Sequence, residues 1–437
     1  MNSETVQMII TMLGGLALFI YGMNLMSDGL QKSAGERMKN ILALLTRNPV
    51  LGVLAGALCT AVLQSSSATT VMVIGFVSAG LMSLRQAISI ILGANIGTTI
   101  TAQLIAFSIG DYAWAFVAVG FVMYFFLKKK EFLSYLGQTI FAFGVLFVGI
   151  NIMGGAMKPL AGSPVFIDLM TQVHDIPVLG VLLGTLMTVV VQSSSATIAV
   201  LQNLASTAGP DGVTSIIGLT GALPILFGDN IGTTITAVLA SIGGSLAAQR
   251  TAAAHVVFNI TGTFIFIWFI PYYAKFIQFI SPDGAEIDVI SRQIANAHSC
   301  FNIFNTILFI PIIGILVKVV TKIVPGKELE RMPSDPIFLD HNVLDRPFAA
   351  IHLATKEIIR LAEMTFTMIR DAQKAFVGGD REAADKVKQT EENVNVLQEH
   401  IVNYLAGMFT ADTITEEQSA KVSGLLHIAA DIEHIGD

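Results

Sequence analysis

Residues 49–69 read PVLGVLAGALCTAVLQSSSAT, and residues 177–197 read PVLGVLLGTLMTVVVQSSSAT. Sixteen of these 21 positions are identical, at a constant offset of 128 residues. A second pair of segments follows, because GANIGTT at 93–99 returns as GDNIGTT at 228–234. The chain therefore contains two copies of one structural unit, and this duplication decides the fold.

The composition predicts that both copies lie in a membrane. The 437 residues are 53% hydrophobic and 13% charged, whereas a soluble chain is about 25% charged. Residues 1–320 carry 12 acidic and 13 basic side chains, and residues 321–437 carry 20 and 12. This division predicts a membrane domain in the lipid bilayer and an aqueous tail, and it excludes a single soluble enzyme, a disordered chain and a nucleic-acid-binding protein. Cys59 and Cys300 provide neither a disulfide framework nor a metal cluster.

The hydropathy pattern predicts seven membrane crossings and two hairpins. A crossing takes about 20 apolar residues, and the stretches that qualify are 7–27, 87–107, 111–127, 136–153, 214–246, 251–274 and 294–320. The first of them lacks the basic start and cleavage pattern of a signal peptide, so we expect a permanent span. Shorter apolar stretches flank a polar break in two places, 49–63 with 71–81 and 177–191 with 198–208. Because irregular backbone at membrane depth persists only inside protein or beside water, each pair predicts a re-entrant hairpin.

The basic loops predict one orientation, with the N-terminus outside and the C-terminus in the cytoplasm. The residues that then fall on the cytoplasmic side are Lys32, Arg37, Lys39, Arg47, Lys128, Lys129, Lys130, Arg250, Lys318, Lys322, Lys327 and Arg331. Three predicted crossings separate corresponding points of the two copies, so the copies are inverted relative to each other. Inverted repeats with broken helices and a site at mid-membrane are the architecture of secondary transporters.

The Q-S-S-S motif at each hairpin tip predicts an anion site. An amide and several hydroxyls stand there beside the start of a half-helix, whose free N–H groups carry about half a positive charge. An oxyanion such as phosphate or sulfate needs many such donors once its water is removed. A single serine run is usually a helix cap or a packing contact, whereas two near-identical inverted copies favour binding. The candidate residues are Gln64, Ser65, Ser66, Ser67, Gln192, Ser193, Ser194 and Ser195.

The N-I-G-T-T motif lies inside a span. Gly97 and Gly232 allow a helix break or a close approach there. Asp229, whose counterpart in the first copy is Ala94, is an acidic residue at membrane depth, which favours a cation ligand or a proton carrier. The alternative is a carboxylate that is satisfied near the end of the span. Since neither motif contains Lys or Arg, a bound anion requires a co-bound cation, which predicts coupled symport. The other oxygen-bearing candidates in this motif are Asn95, Thr98, Asn230 and Thr233.

Two further patterns surround this motif. Pro224 weakens the helix shortly before the second copy of the N-I-G-T-T motif. His255 with Asn259 and His298 with Asn302 each place an imidazole and an amide on one helix face. These pairs either form interhelical hydrogen bonds or line the path, and the first role is the more common one in membrane helices.

The paired Q-S-S-S motifs, the N-I-G-T-T segments and the two H-x-x-F-N spans resemble the type II sodium–phosphate cotransporters, in the bacterial form with a PhoU-like tail. The resemblance implies sodium-driven uptake of inorganic phosphate by alternating access across a bacterial plasma membrane, with Na+ as the coupling ion and no organic cofactor. It assigns phosphate to the eight Q-S-S-S residues. Electrogenic animal relatives carry an acidic residue where this chain has Ser299, or Val256 in the other copy, so the sodium stoichiometry stays open. The sodium ligands that it implies are Thr69, Asn95, Thr98, Asn230, Thr233 and Thr234.

The tail predicts three amphipathic helices, which are half of a helical bundle. The first runs over Pro347–Val377 and stops at two glycines, Asp380 caps the second, and a capping box at Thr415–Gln418 begins the third. The inward residues of the second and third helices are Val387, Val394, Leu397, Ile401, Leu425, Ile428, Ile432 and Ile435. Asp431–Asp437 resembles the acidic signature of PhoU-type bundles, which implies Glu433 and Asp437 as metal ligands; a solvated acidic helix end fits equally well. The chain stops inside this signature, so we expect an incomplete bundle.

These predictions give a domain order and leave three rival functions open. The order is a first repeat at 1–153, an inverted repeat at 136–246, additional spans at 251–320, a linker at 321–346 and a PhoU-like domain at 347–437. The additional spans leave open a homodimer, and the tail leaves open a cytoplasmic regulatory partner. Enzyme motifs are absent. The rivals are a channel, a proton-coupled anion transporter that uses Asp229, and a membrane phosphate sensor that does not transport.

Overall fold

A computed structural model describes residues 3–34, 48–107, 109–159, 163–209, 211–326, 332–410 and 414–437. Within these ranges the regular structure is helical, and the pairing of Ala208 with Ser215 is an isolated bridge. An all-helical fold is therefore confirmed for the described residues. Several basic residues that support the predicted orientation lie outside these ranges, namely Arg37, Lys39, Arg47, Lys327 and Arg331.

The helices up to residue 323 form the apolar part of the chain. In chain order they are α1 (Ser3–Ala34), α2 (Pro49–Leu63), α3 (Ser66–Ser78), α4 (Leu84–Gly97), α5 (Thr99–Ile105), α6 (Ala113–Phe126), α7 (Glu131–Met157), α8 (Pro164–Asp175), α9 (Pro177–Val191), α10 (Ser194–Ala205), α11 (Gly218–Gly232), α12 (Ile235–Ser241), α13 (Leu246–Phe266), α14 (Ile270–Ile280), α15 (Glu286–Phe309) and α16 (Ile313–Ile323).

Six stretches of the described residues are long and apolar enough to cross a membrane. They are Thr5–Ser33, Leu84–Ile105, Glu131–Met157, Gly218–Ser241, Leu246–Ile280 and Glu286–Ile323, and they correspond to six of the seven predicted spans. The seventh prediction, 111–127, falls on Gly110–Phe126, which includes α6 and belongs to the shorter apolar helices of 10–17 residues. Residues 154–176, which no predicted span or hairpin covers, contain α8, and the chain bends by 111° between α8 and α9. The apolar residues of α8 recur at helical spacing, which the sequence interpretation missed.

Both predicted hairpins contain two half-helices, but the break between them is shorter than predicted. Gln64 and Gln192 end α2 and α9 in the left-handed region, with φ of 52° and 54°. The next helices begin at Ser66 and Ser194, and not at 71 and 198 as predicted. The reason is capping, because the side chains of Ser65 and Ser193 accept from the backbone N–H three residues later. The remaining serines of each motif therefore belong to the first turn of a helix.

The two copies share the same close helix packing. A Cβ on Gly56 of α2 would overlap the carbonyl oxygen of Ile90 in α4, and a Cβ on Gly184 of α9 would overlap that of Ile225 in α11. Gly56 and Gly184 occupy equivalent positions in the duplicated sequence. Only glycine allows backbones to approach so closely. The duplication in sequence is thus also a duplication in helix packing.

At the N-I-G-T-T motif the structure shows both a short interruption of the helix and the close approach that its glycine allows. Helix α4 ends at Gly97 before α5, and α11 ends at Gly232 before α12. A Cβ on Gly97 would lie 2.7 Å from Cβ of Thr60, and one on Gly232 would lie 2.7 Å from Cβ of Thr188. Pro224 lies inside α11, which continues past it to the motif. The motif itself, and not the proline, therefore marks the interruption.

A cluster of aromatic residues packs α13, α14 and α15 against α11. The ring of Phe227 stacks on that of Phe301 at 4.9 Å between centroids, and Phe266 meets Tyr273 edge-on at 4.8 Å. The Tyr273 hydroxyl also donates to the carbonyl oxygen of Ala297 at 2.6 Å. Such ring pairs stabilise packing beyond simple contact area. They hold the two H-x-x-F-N helices beside the second N-I-G-T-T motif.

The chain divides into two compact units, each made of three segments. The first comprises Met1–Thr70, Arg85–Leu239 and Thr251–Ile323; the second comprises Val71–Leu84, Ala240–Arg250 and Val324–Asp437. The second unit contains α17 (Pro347–Gly378), α18 (Arg381–Met408) and α19 (Glu416–Gly436). It also includes the end of α3, where Phe76 lies edge-on to His352 at 5.9 Å.

The predicted ends of the tail helices are confirmed. Gly379 ends α17 in the left-handed region with φ of 65°, and Asp380 caps α18 through the N–H groups of Glu382 and Ala383. The capping box between Thr415 and Gln418 begins α19. The predicted stripe of α18 is buried at Val394, Leu397 and Ile401, and Val387 is half-buried. Local capping chemistry therefore sets where these helices begin and end.

The predicted inward face of α19 is wrong at two positions. Ile428 is 46% exposed and Ile435 is 64% exposed, whereas Val422 and Ala429 are buried. Val422 and Ala429 are seven residues apart and therefore lie on one side of α19, which is the side that packs against the rest of the tail. Leu425 and Ile432 flank this side and are half-buried. A prediction based on hydrophobicity alone chose the larger Ile428 and Ile435, and it missed Ala429, whose small side chain allows α19 to pack closely.

Candidate functional site

The first hairpin tip is largely buried and internally bonded. Gln64 is 7% exposed, and its Oε1 accepts from the hydroxyl of Thr101 at 3.1 Å. Ser66 is buried, while Ser65 and Ser67 are half-buried. The left-handed backbone at Gln64 turns the chain directly from α2 into α3. The amide and the serine hydroxyls therefore lie together at the start of α3.

The second tip has the same backbone but a different exposure. Gln192 adopts nearly the same dihedral angles as Gln64, yet its side chain is exposed. Ser194 and Ser195 are each 8% exposed, and Ser193 is half-buried. The serines of the two tips are therefore similar in burial, whereas the two glutamines are not.

Each tip presents backbone donors as well as hydroxyls. In an α-helix the first four N–H groups have no acceptor within the helix. Ser65 and Ser193 each satisfy one of them, at Ala68 and Ala196. The N–H groups of the serines in between remain for a ligand, at the positive ends of helices of 13 and 12 residues. The N-termini of α3 and α10 therefore each present free backbone N–H groups that attract anions.

Contacts between the two copies are crossed at these tips. The hydroxyl of Thr98, in the first N-I-G-T-T motif, lies 3.4 Å from that of Ser194 in the second tip. The hydroxyl of Thr236, just after the second motif, donates to Ser67 of the first tip at 3.1 Å. Each hairpin tip therefore contacts the broken helix of the other copy.

Two of these partner residues were missed in the sequence. Thr101 and Thr236 lie two residues beyond the N-I-G-T-T motif, at equivalent positions of the two copies. Residues 95–101 and 230–236 both read NIGTTIT, so the duplicated motif is longer than the segment that was singled out. Extending the comparison by two positions would have found both threonines.

Asp229 is fully buried and only partly satisfied. Its Oδ1 accepts from the hydroxyl of Thr188 at 2.7 Å, and that hydroxyl lies 3.0 Å from the hydroxyl of Thr197. Its Oδ2 has no hydrogen-bond partner among the described residues. A buried carboxylate left in this way favours a proton or a cation at the open oxygen.

The first copy has the same threonine pair without the carboxylate. The hydroxyl of Thr60 donates to that of Thr69 at 2.8 Å, and Ala94 stands where the second copy has Asp229. Thr60 and Thr188 are identical positions of the duplication that the sequence interpretation did not single out. The predicted cation ligand Thr69 therefore lies in a neutral site, and Asp229 lies in the equivalent charged one.

One residue of each H-x-x-F-N pair makes an interhelical hydrogen bond, whereas the buried ring of His298 has no partner among the described residues. Nε2 of His255 lies 3.4 Å from Oδ1 of Asn95, and the amide of Asn302 donates to Oδ1 of Asn230 at 3.1 Å. Asn259 bonds within its own helix, to the carbonyl oxygen of His255. The contacts of His255 and Asn302 connect α13 to the first N-I-G-T-T motif and α15 to the second.

The remaining candidate residues do not all converge on one point. Thr234 donates to the carbonyl oxygen of Ile231 at 2.7 Å, and the carbonyl of Thr233 accepts from Thr236. Both threonines are buried at the break between α11 and α12. In the tail, ligand atoms of Glu433, His434 and Asp437 lie within 4.8 Å of one another. Metal binding by Glu433 and Asp437 stays a prediction.

Several apolar spans with two broken-helix pairs in mutual contact define a multi-pass membrane protein of the secondary-transporter class. The chain belongs to the Na+/Pi-cotransporter family, whose model matches residues 18–155 and 153–280. The PhoU domain model matches residues 358–437. A transporter family agrees with the absence of enzyme motifs from the sequence.

Three relatives illustrate the range of the similarity. The uncharacterized protein YqeW of Bacillus subtilis is 36% identical over 271 residues, which are 62% of this chain and 85% of that protein. The "Putative inorganic phosphate export protein YjbB" of Escherichia coli K12 is 25% identical over 430 residues, 98% of this chain and 76% of that protein. The human sodium-dependent phosphate transport protein 2B is 40% identical over 108 residues, 24% of this chain and 15% of that protein. No solved structure matches the chain.

Proposed function

We propose that this protein is a secondary active transporter that carries inorganic phosphate into the cell together with sodium. The observation that carries the proposal is the crossed pair of contacts, Thr98 with Ser194 and Thr236 with Ser67. Each contact joins a tip of one copy to the broken helix of the other. A solute held between the tips would therefore touch both copies, as alternating access between two repeats requires.

Phosphate binds in this proposal at the two Q-S-S-S tips. A dehydrated oxyanion needs hydrogen-bond donors on several sides. The hydroxyls and the first-turn N–H groups of α3 and α10 supply them, and the helix ends supply partial positive charge. The residues assigned to phosphate are Gln64, Ser65, Ser66, Ser67, Gln192, Ser193, Ser194 and Ser195.

Sodium binds at the buried carboxylate of the second copy. Asp229, Thr188 and Thr197 present hard oxygen ligands within one hydrogen-bonded cluster. A sodium ion there neutralises Asp229 and offsets the charge of phosphate, because the tips contain no Lys or Arg. Each ion then stabilises the binding of the other, which is the thermodynamic basis of symport. Further oxygens come from the other candidate residues, Thr69, Asn95, Thr98, Asn230, Thr233 and Thr234.

The alternating movement follows from inverted insertion of the two copies. In the proposed arrangement the hairpins α2–α3 and α9–α10 enter the plasma membrane from opposite sides and meet near its middle. The N-terminus lies outside, and the PhoU-like tail lies in the cytoplasm, where it offers a surface for a regulatory partner. The spans at 251–320 offer a surface for a homodimer.

Export of phosphate is the second candidate, and the name of the YjbB relatives favours it. The direction of a symporter depends on its gradients, and an inward sodium gradient drives coupled phosphate inward. An exporter would instead move phosphate outward without requiring inward sodium. The two functions therefore differ in the response of the flux to the direction of the sodium gradient.

Uptake into proteoliposomes tests both candidates. Radiolabelled phosphate uptake is measured with an inward gradient of sodium and with potassium at the same concentration. We expect accumulation against the phosphate gradient in sodium alone. Equal uptake in both salts would contradict sodium coupling, and an inward proton gradient that replaces sodium would favour the proton-coupled alternative. Saturable binding without net flux would instead indicate a sensor, and fluxes far beyond carrier turnover would indicate a channel.

A further inference from the structure

One cation of the membrane part, Arg292 in α15, is held in a specific way. Its Nη1 donates to Oε1 of Gln103 at 2.7 Å, and its guanidinium lies 4.3 Å from the ring centroid of Phe107. Among the described residues no carboxylate forms an ion pair with Arg292, which is half-buried near the start of its helix. The guanidinium is therefore held by an amide and a ring, and among the described residues it has no direct ion pair.

A line of polar side chains connects Arg292 with the second hairpin tip. Nε2 of Gln103 lies 3.1 Å from the hydroxyl of Ser299, which donates to the hydroxyl of Thr99 at 3.1 Å. The adjacent residue, Thr98, contacts Ser194. The line therefore runs from a guanidinium to a serine that is assigned to phosphate.

Burial increases along this line. Arg292, Gln103 and Ser299 are half-buried, whereas Thr99 is 3% exposed and Ser194 is 8% exposed. Side chains that water still reaches thus lead to side chains that it barely reaches. This is the order in which an incoming anion would exchange its water for protein donors.

The chemistry of arginine suits the reception of an oxyanion. A guanidinium presents several donors in one plane and fits two oxygens of phosphate at once. The contact with Gln103 engages Nη1, and the remaining donors have no acceptor among the described residues. A fixed positive charge at a narrow opening also raises the local anion concentration. The Q-S-S-S tips contain no Lys or Arg, so Arg292 adds a positive charge that the tips themselves do not have.

We propose that Arg292, positioned by Gln103 and Phe107, is the receiving group for phosphate and passes it along Ser299 and Thr99 to the second tip. The inference rests on the proposed transport function and deepens it. In that arrangement Arg292 lies toward the outer face, where α5 ends and α15 begins. A purely structural role, in which Arg292 only connects these two helices, makes different predictions.

The test compares Arg292→Gln with Arg292→Lys in sodium-driven phosphate uptake. Lys275→Gln is the matched control, since it removes one positive charge from the neighbouring helix α14. We expect Arg292→Gln to raise KM for phosphate about five- to tenfold at low ionic strength, with a maximal rate within about twofold of the wild type. Arg292→Lys recovers part of this shift, and Lys275→Gln leaves KM unchanged. The difference in KM for phosphate between the wild type and Arg292→Gln becomes smaller as the ionic strength is raised at a fixed sodium concentration.

A reduced maximal rate with unchanged KM in Arg292→Gln would overturn the receiving role and leave the structural one. If this variant does not accumulate in the membrane, the wild type provides the test, because its KM must rise with ionic strength; a constant KM would overturn the proposal. Absence of phosphate uptake by the wild type would contradict the proposed function itself. Normal wild-type uptake with an unaffected Arg292→Gln would contradict only the role of Arg292.

Discussion

The two hairpins have the same backbone and different chemistry. Both turn at a left-handed glutamine, both cap the following helix with a serine, and both pack a glycine against a neighbouring carbonyl. Yet Gln64 is buried against Thr101, whereas Gln192 is exposed. The threonine pair beside the second tip contacts Asp229, and the first copy has Ala94 at the position equivalent to Asp229.

The two copies therefore share the residues that build the hairpins and differ in the residues near the tips. Duplication preserves what builds the hairpins, namely the glycine contacts and the caps. Only the second copy adds a buried carboxylate, Asp229, to the threonine pair. We infer that phosphate binding is shared between the copies and that sodium binding is concentrated in the second.

Of the substitutions that test the difference between the two copies, Asp229→Asn is expected to have the largest effect on phosphate uptake. It keeps the hydrogen bond from Thr188 but removes the charge that would bind sodium. We expect sodium-driven phosphate uptake to fall more than about 100-fold, since a lost ionic partner in a buried site costs about 3–5 kcal/mol. The uptake is measured over a range of sodium concentrations and after a pH jump.

The matched control is Thr69→Val, which alters the neutral pair of the first copy. Thr69→Val should reduce sodium-driven phosphate uptake far less than Asp229→Asn does. Equal losses in both variants would show that the two copies share sodium binding. Uptake by Asp229→Asn that still responds to sodium would remove Asp229 from the cation site.

Ser194→Ala and Ser67→Ala test the crossed contacts from both sides. Ser194 is buried, and its loss removes a donor to a charged ligand, which is worth about 1.5–3 kcal/mol. We expect KM for phosphate to rise about 10- to 100-fold in Ser194→Ala and by a smaller factor in Ser67→Ala, whose side chain is half-buried. An effect confined to one of the two serines would place phosphate at one tip instead of between them.

Gln64→Leu and Gln192→Leu compare the buried amide with the exposed one. Removing the Gln64 amide leaves the Thr101 hydroxyl without its partner, which costs about 1–3 kcal/mol. We therefore expect Gln64→Leu to lower the thermal unfolding temperature of the purified protein and to weaken phosphate uptake. Gln192→Leu should leave the unfolding temperature unchanged and raise only KM. The reverse order of stability would mean that the exposure of Gln192 does not distinguish the two tips.

Deletion of 326–437 has the smallest expected effect on transport. The tail packs on the end of α3, where Phe76 lies against His352, so its removal should lower stability. The phosphate and cation residues all precede the deleted segment. We expect uptake within about twofold of the full chain when it is corrected for the amount of inserted protein. Complete loss of uptake by protein that is stably inserted would make the tail part of the transport cycle.

The sequence predicted the two pairs of half-helices and the interruptions at N-I-G-T-T because these depend on local rules. Short apolar stretches around Q-S-S-S and glycines inside N-I-G-T-T specify them directly. The start of α3 at Ser66 was predicted too late because Ser65 caps the helix from within the polar break. The charge asymmetry was visible as Asp229 against Ala94, but its partner Thr188 lies 41 residues away and required the packing of α9 on α11.

Burial was the least predictable property. Gln64 and Gln192 stand in nearly identical sequences, and only their surroundings make one buried and the other exposed. Ile428 of the tail is hydrophobic and exposed because the smaller Ala429 lies on the side of α19 that packs against the rest of the tail. Arg292 carried no motif, and its connection to Ser299 depends on Gln103 from another helix.

A structure determined with sodium and phosphate would show directly whether both copies hold the same anion. We expect one phosphate density that contacts serines of both tips, with a separate sodium density beside the Asp229 carboxylate. Phosphate bound to a single tip, or tips without density at saturating phosphate and sodium, would contradict this expectation.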